Sequence, residues 1–398
     1  MDYFIETAMN ADDAHNFFLS NLQHYNMAAL SSARPTVGII GGGISGLSCA
    51  LQLEARGFKC KVFDTGKKGL GGRASSRSST DHAIQFLTSS PTQSSAFQAQ
   101  LNTWHTRGVI QKWNANRIEN NKSTNDYYIG SNKRGMGAVA FDLTQSLATA
   151  PATDTWISPN NGLSKEGNQW KIKGHGKFDA VVIAHNGKCA DRLTSKIGCK
   201  RINQLLRVKF DDRPASNKMT LNSIYSLIVE IQKDVLREDV EGIFCSDRSN
   251  VLDSMFCQTR KYAPAKETKT KETETWTLLS NATYAKANKQ PQEHLDGTKL
   301  SQTIVQAMLK EMHNVAGVDK RKSMDLNVVK RTKLQLWGAG VPLNTWKAKD
   351  GSCFLWDEDN QIGVVGDWLK DASLYGAWES GKETTQQHCN IFTVHIFR

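Results

Sequence analysis

Residues Val37 to Asp64 read VGIIGGGISGLSCALQLEARGFKCKVFD, and this stretch decides the fold. Thr36 to Ile40 is a short apolar run of the kind a strand buried on both faces presents. Ile44 to Arg56 then places Leu47, Ala50, Leu51 and Leu53 on the inner side of a predicted helix, which Gly57 ends. Phe58 to Asp64 alternates as a second strand, so the opening is a β-α-β unit with a parallel sheet. At its first turn Gly41, Gly43 and Gly46 supply G-x-G-x-x-G between strand and helix, the context in which that spacing binds a dinucleotide. Gly41 serves the tight turn, Gly43 lets a pyrophosphate approach the backbone, and Gly46 lets helix and strand pack closely. The helix start, with Ile44 and Ser45, faces the phosphates with unpaired N–H groups and a partial positive charge. Asp64, followed by Thr65, ends the second strand where a carboxylate can take both hydroxyls of an adenosine ribose and disfavour a 2′-phosphate.

FAD and NAD both use such a unit, and two further pieces favour FAD. Gly71, Gly72 and Arg73 form a second glycine turn with a guanidinium that could reach the other side of the pyrophosphate. Near the far end, Gly363 to Leu369 (GVVGDWL) is an apolar strand ending in Gly366 and Asp367, with the carboxylate placed to bond ribityl hydroxyls. A helix beginning near Gly376, with Ala377 in its first turn, would aim N–H groups at the flavin and stabilise negative charge on its reduced form.

Composition sets the outer limits. A chain of 398 residues exceeds one ordinary core and suggests two lobes, at roughly 100 to 200 residues per domain. With 39% hydrophobic and 22% charged residues it reads as an ordinary globular chain, and no apolar run approaches the roughly 18 residues of a membrane span. The acidic start, with Asp2, Glu6, Asp12 and Asp13, does not read as a secretory signal, and a cytoplasmic location is expected. Eight scattered cysteines lack both a C-x-x-C pair and histidines at metal-binding spacing, so free thiols, a reducing compartment and no metal site are expected. The net charge of +11 is spread out; its densest cluster, Lys320 to Lys322 with Lys330, Arg331 and Lys333, lacks interleaved aromatics and reads as a solvated face, not a nucleic-acid site.

Along the rest of the chain, Phe97 to Trp113 and Gly135 to Ala148 read as helices, and Tyr127 to Ile129, Trp156 to Ser158, Gln169 to Lys173 and Phe178 to His185 as strands. Beyond Leu205 the texture changes: apolar runs at Ser223 to Val229 and Trp276 to Asn281, an amphipathic helix at Leu300 to Val315, and a low-complexity run from Lys266 to Thr275 that suits an exposed hairpin tip. The expected fold class is α/β with an α+β second lobe, a Rossmann-like FAD-binding domain carrying an inserted mixed-sheet substrate domain. The expected boundaries are a flexible leader at 1–34, FAD-binding segments at 35–90, 135–204 and 348–381, substrate-domain segments at 91–134 and 205–347, and a divergent tail at 382–398.

The same residues resemble the renalase-like branch of the flavin amine oxidase superfamily. The likeness runs from VGIIGGG through GLGGRASSR and DHAIQF (Asp81 to Phe86) to GMGAVAFDL (Gly135 to Leu143), WTLLSNATYAKAN (Trp276 to Asn288) and PLNTW…CFLWDEDNQIGVVGDWL. It implies a discontinuous FAD domain, a mixed sheet over the isoalloxazine face, hydride transfer from a small amine or a reduced nicotinamide-like substrate to flavin N5, and O2 as electron acceptor. An NAD(P)H-dependent reductase and a non-catalytic FAD scaffold are the alternatives. No cysteine, Cys353 within GSCFLWD included, lies in a flavin-linking pattern, so the FAD is expected to be non-covalent, and Cys353 is expected in a buried strand. Hydride transfer to flavin requires positioning and a dry face more than a general base, so no catalytic residue is assigned. Gln85, Phe86, Trp337 and Trp346 are candidates for the flavin or substrate wall, each with core packing as the plainer role, and His82 is expected to make a loop hydrogen bond. The segment after Gly381, KETTQQHCNIFTVHIFR, has poor helical periodicity.

Overall fold

The computed structural model describes residues 34–384 apart from 68, 78, 132, 201, 204–220, 234, 263–271, 292–293, 296, 317–327, 347 and 349. The leader, the tail beyond 384, Lys320 to Lys322 and most of the low-complexity run lie outside the described residues.

Strand β1 (Thr36–Ile40), helix α1 (Ile44–Glu54) and strand β2 (Lys59–Phe63) form the expected β-α-β unit, with β1 and β2 parallel and Ile40 opposite Phe63. Val37 to Ile40 are buried, which is why a central parallel strand here carries no outward polar face. Gly57, at φ 89°, adopts a left-handed turn that a side chain would resist, and it reverses the chain into β2.

Helix α2 (Ser95–Thr106) follows, capped by Ser94, whose side chain accepts from Phe97 N. Periodicity predicts this helix to continue to Trp113, but Gly108 at φ 68° breaks it, and Ile110–Trp113 instead pairs antiparallel with the strand Asp126–Gly130. Helix α3 (Gly137–Gln145) lies within the expected span. The strand expected at Trp156 to Ser158 does not form: Trp156 is 67% exposed, and Ser158 O accepts from Gly162 N in a turn. Its apolar residues had suggested sheet, whereas only Ile157 enters the core.

Strand β3 (Ala180–Ile183) pairs parallel with β1 on the side opposite β2, Val37 facing Ala180. The chain next builds a six-stranded sheet from β4 (Leu221–Gln232), β5 (Gly242–Phe244), β6 (Leu252–Cys257), β7 (Thr273–Ser280) and β8 (Val329–Pro342), joined by the two-residue strand Ile118–Glu119. The order is β8-β4-β7-β6-β5 and then Ile118–Glu119, antiparallel except at that last pair, so β8 is an edge. Helix α4 (Lys299–Val315) buries Ile304, Met308 and Met312 against one face of this sheet, in a core with Tyr225, Leu227, Trp276 and Leu278.

The chain then returns to the first sheet with β9 (Leu355–Asp357) and β10 (Ile362–Val364), giving the order β9-β10-β3-β1-β2. Helix α5 (Leu374–Glu383) crosses α1 so closely that a methyl at Gly381 would strike Ser45 O and Cys49 N. The helix runs two residues into the segment of poor periodicity after Gly381, and Thr384 beyond it is buried, because this face docks on α1. The seven described cysteines are free, and burial pushes the thiols of Cys49, Cys199, Cys245 and Cys257 up to about 12. Cys353 is buried in a loop, not in the expected strand, and its Sγ donates to Glu383 Oε2 at 2.9 Å. Among the described residues no helix is long and apolar enough to cross a membrane.

Candidate cofactor and substrate cleft

The helix that opens the nucleotide unit differs from its neighbours at its N-terminus. Helices α2, α4 and α5 are capped by the side chains of Ser94, Thr298 and Ser373, and the start of α3 is served by Asp81 Oδ1 and Ser76 Oγ, which accept from Met136 N and Gly137 N. Helix α1 has Gly43 at its cap position, with no side-chain bond and no acid in the first turn. Its first N–H groups are therefore left for a ligand, at the positive end of the helix dipole. A methyl built on Gly43 would meet nothing within 4 Å, so the backbone here borders open space.

That space is a cavity of about 870 Å³, within the range of small-molecule sites. Twelve of the sequence-predicted residues line it: Gly41, Gly43, Ile44, Ser45, Asp64, Thr65, Gly71, Gly72, Arg73, Gly366, Asp367 and Ala377. Gly46 does not line it; a methyl there would strike Gly41 O and press on Ala184, which is the close helix–strand packing expected of this glycine. Gly41 has φ 121° and its added methyl would lie 2.5 Å from Ala184 O, so the turn requires glycine.

The two glycine turns interlock. Gly71 N donates to Gly42 O at 2.8 Å, and Gly43 bridges Gly71 in parallel. Arg73, in the short turn of helix that follows, places Nη2 2.6 Å from Asp367 Oδ2. This close, charge-assisted contact engages the buried Asp367 carboxylate. Gly366 N is tied to Ser380 Oγ at 2.9 Å, which couples the Gly-Asp turn to α5. Asp64 uses both carboxylate oxygens, Oδ2 accepting from Gly42 N and Oδ1 from Gly66 N, each at 2.7 Å. It thus shapes the glycine turn directly, and each oxygen retains a second lone pair.

These features fit FAD: an uncapped helix start and Gly43 for a pyrophosphate, with Asp64 and the Arg73–Asp367 pair lining the same cavity. Ser373, Leu374 and Ala377 bring the start of α5 to the wall. The helix begins two residues before Gly376, and Ser373 Oγ accepts from Gly376 N at 3.1 Å.

Residues 39–101 match the model of the NAD(P)-binding Rossmann-like domain. In three dimensions the chain is similar to a protein of Exiguobacterium sp. 255-15 assigned as a protoporphyrinogen oxidase, at TM-score 0.60 and 11% identity over 92% of this chain and 100% of that one. The chain has the fold of the FAD-dependent oxidoreductases. Cyclohexylamine oxidase from Brevibacterium oxydans IH-35A gives TM-score 0.55 at 11% identity, covering 92% of this chain and 100% of the other. UDP-galactopyranose mutase in its reduced form gives 0.56 at 10%, covering 92% and 95%. Oxidases and a mutase share this scaffold, so the reaction has to be argued from the residues.

Sequence reasoning missed one feature. Asp81, fully buried, accepts from Ser76 Oγ and Met136 N through Oδ1 and from Lys261 Nζ at 2.7 Å and Tyr262 OH at 2.5 Å through Oδ2. The Lys261 and Asp81 side chains are both 0% exposed. Burial holds the Lys261 ammonium below its usual range against the pull of Asp81, and burial together with the Asp81 charge pushes the Tyr262 phenol well up. Asp81 opens the motif DHAIQF, while Lys261 and Tyr262 lie 180 and 181 residues away, in a segment with no motif of its own. The network ties that motif to both α3 and the six-stranded sheet.

The aromatic candidates separate. Trp337 lies on the main cavity, whereas Gln85 and Phe86 line a smaller one of about 290 Å³ and Trp346 packs against the core beneath the five-stranded sheet. Gln85 also belongs to the buried network, its Oε1 accepting from Gln258 Nε2 at 2.8 Å. His82 lies on the main cavity wall, and its Nε2 has no partner among the described residues.

Proposed function

We propose that the protein is an FAD-dependent oxidoreductase of the amine-oxidase and renalase-like kind, binding FAD non-covalently and oxidising a small amine or reduced nicotinamide-like molecule, with O2 as the acceptor. The observation that carries this reading is the uncapped start of α1, at two interlocked glycine turns on a cavity that Arg73 and Asp367 also line. FAD, when bound, supplies a two-electron acceptor at its ring. The chain supplies the rest. The α1 N–H groups and Gly43 hold the pyrophosphate, Asp64 takes the ribose, and Asp367, oriented by Arg73, takes a ribityl hydroxyl. Leu374 and Ala377, at the Ser373-capped start of α5, would form part of the wall beside the flavin. His82, Gln335 and Trp337 form the wall against which a substrate would be oriented and shielded from water. The free buried thiols suit a reducing compartment such as the cytoplasm.

Anaerobic mixing with a panel of primary amines, polyamines and reduced nicotinamides tests the reaction. Bleaching of the flavin by one class and its return on admitting O2 supports the proposal. Oxidised flavin that no C–H donor reduces would point to a scaffold role instead.

A further inference from the structure

The cavity wall farthest in character from the phosphate end is built from the segment around His82 and the edge strand β8. Two polar atoms on it lack partners among the described residues: His82 Nε2, on a residue only 3% exposed, and Trp337 Nε1. An indole N–H only donates, so Trp337 requires an acceptor that no described residue provides. Leaving a buried polar atom unpaired is unfavourable, and a ligand acceptor would remove that cost.

The charge around this wall has one sign. Arg77 lines the main cavity and also a second one of about 860 Å³ that shares Arg77, Gln335 and Trp337 as walls. Arg77 is exposed and makes no ion pair among the described residues. Lys333 on β8 lines the second cavity, and Arg77 and Lys333 both act on His82, which burial and these two charges hold down to about 4, so the imidazole is neutral near pH 7. The carboxylates on the main cavity are at the cofactor end and engaged, Asp64 with backbone N–H groups and Asp367 with Arg73. Among the described residues no Asp or Glu lines the second cavity.

We infer that the substrate end selects a molecule carrying an anionic group, a carboxylate or phosphate, paired with Arg77 and accepting from Trp337, with the second cavity taking the rest of the substrate. The inference rests on the flavin reading of the same cleft and narrows its substrate class away from simple cationic amines. A substrate ammonium would be drawn instead to Asp253, the carboxylate on the smaller cavity, beside Phe244 and Phe256.

Three aryl probes of similar size and different charge decide the matter: benzoate, phenyl phosphate and benzylammonium. Each is titrated calorimetrically into the FAD-loaded chain at constant ionic strength. The expected result is that one or both anions bind at least about tenfold more tightly than benzylammonium, and that Arg77→Gln weakens the anions about tenfold with the flavin spectrum unchanged. Trp337→Phe, which keeps the ring and removes the N–H, lowers the same affinities with no change for benzylammonium. The tighter of the two anions identifies the group. Benzylammonium binding as tightly as the anions, no anion binding at millimolar concentration, or anion affinities untouched by Arg77→Gln would overturn the inference. A chain that takes no flavin speaks against the cofactor reading instead, and the same three titrations of that flavin-free chain still read the charge preference.

Discussion

Substitution of Gly43 by alanine separates ligand binding from folding. The backbone at Gly43 has φ −73° and ψ 177°, which any residue adopts, and the added methyl meets no atom within 4 Å. Alanine restricts the unfolded chain, a gain of about 0.4–1 kcal/mol. Against that, alanine is a poorer helix cap than glycine by a similar amount. The two effects offset, so the flavin-free variant should unfold within about 0.5 kcal/mol of wild type. The methyl instead enters the space where a pyrophosphate approaches the uncapped N–H groups of α1. Loss of one charge-assisted bond there costs about 1.5–3 kcal/mol, or about 10- to 150-fold in Kd. Titration of the flavin-free chain with FAD, followed by flavin fluorescence, measures this, and thermal unfolding of the same sample measures stability. Wild-type FAD affinity in Gly43→Ala would refute the placement of the pyrophosphate. Gly46→Ala makes a contrasting control, because its methyl strikes Gly41 O and should impair folding with or without flavin.

Three other outcomes follow from the geometry. Asp367→Ala should lower flavin occupancy by about tenfold or more in affinity while leaving Arg73 unpaired, as measured by the flavin-to-protein absorbance ratio after purification. Asp81→Ala leaves Lys261 buried without its partner and should destabilise by about 3–5 kcal/mol, whereas Asp81→Ala with Lys261→Met should recover part of that loss in denaturant unfolding. His82 gives an acid dependence. Its folded-state value near 4 lies below the ordinary 6.5, so between those values the unfolded chain binds more protons. Stability is complete above pH 6.5 and falls as pH drops toward 4, by up to about 3 kcal/mol, and His82→Gln should flatten that part of the profile.

How far the sequence could be read depended on whether a property was local. The β-α-β unit was legible because strand, turn and helix signals fall within thirty residues of one another, and Gly41 and Gly46 have distinct steric reasons for being glycine while Gly43 borders open space. The second turn at Gly71 to Arg73 and the Asp367 turn were legible as motifs, although the ion pair between Arg73 and Asp367 needed the fold to bring them together. The helix expected through Trp113 failed because apolar residues on both sides of Gly108 read as one pattern, while a left-handed glycine divides them into helix and strand. Asp81, Lys261 and Tyr262 form a buried network that no local pattern announces, since each looks like a surface residue until the sheet covers it. Helix α5 continues into the segment of poor periodicity after Gly381 because its docking on α1, not its own periodicity, holds its last turn.

The absorbance spectrum of the purified protein, before and after heat release, tests the central claim most directly. Non-covalent FAD predicts the two visible and near-ultraviolet bands of oxidised flavin, with the colour leaving the precipitated protein for the supernatant as FAD. A folded, colourless protein that takes up no added FAD would contradict the account, and colour that stays with the denatured chain would contradict the non-covalent assignment.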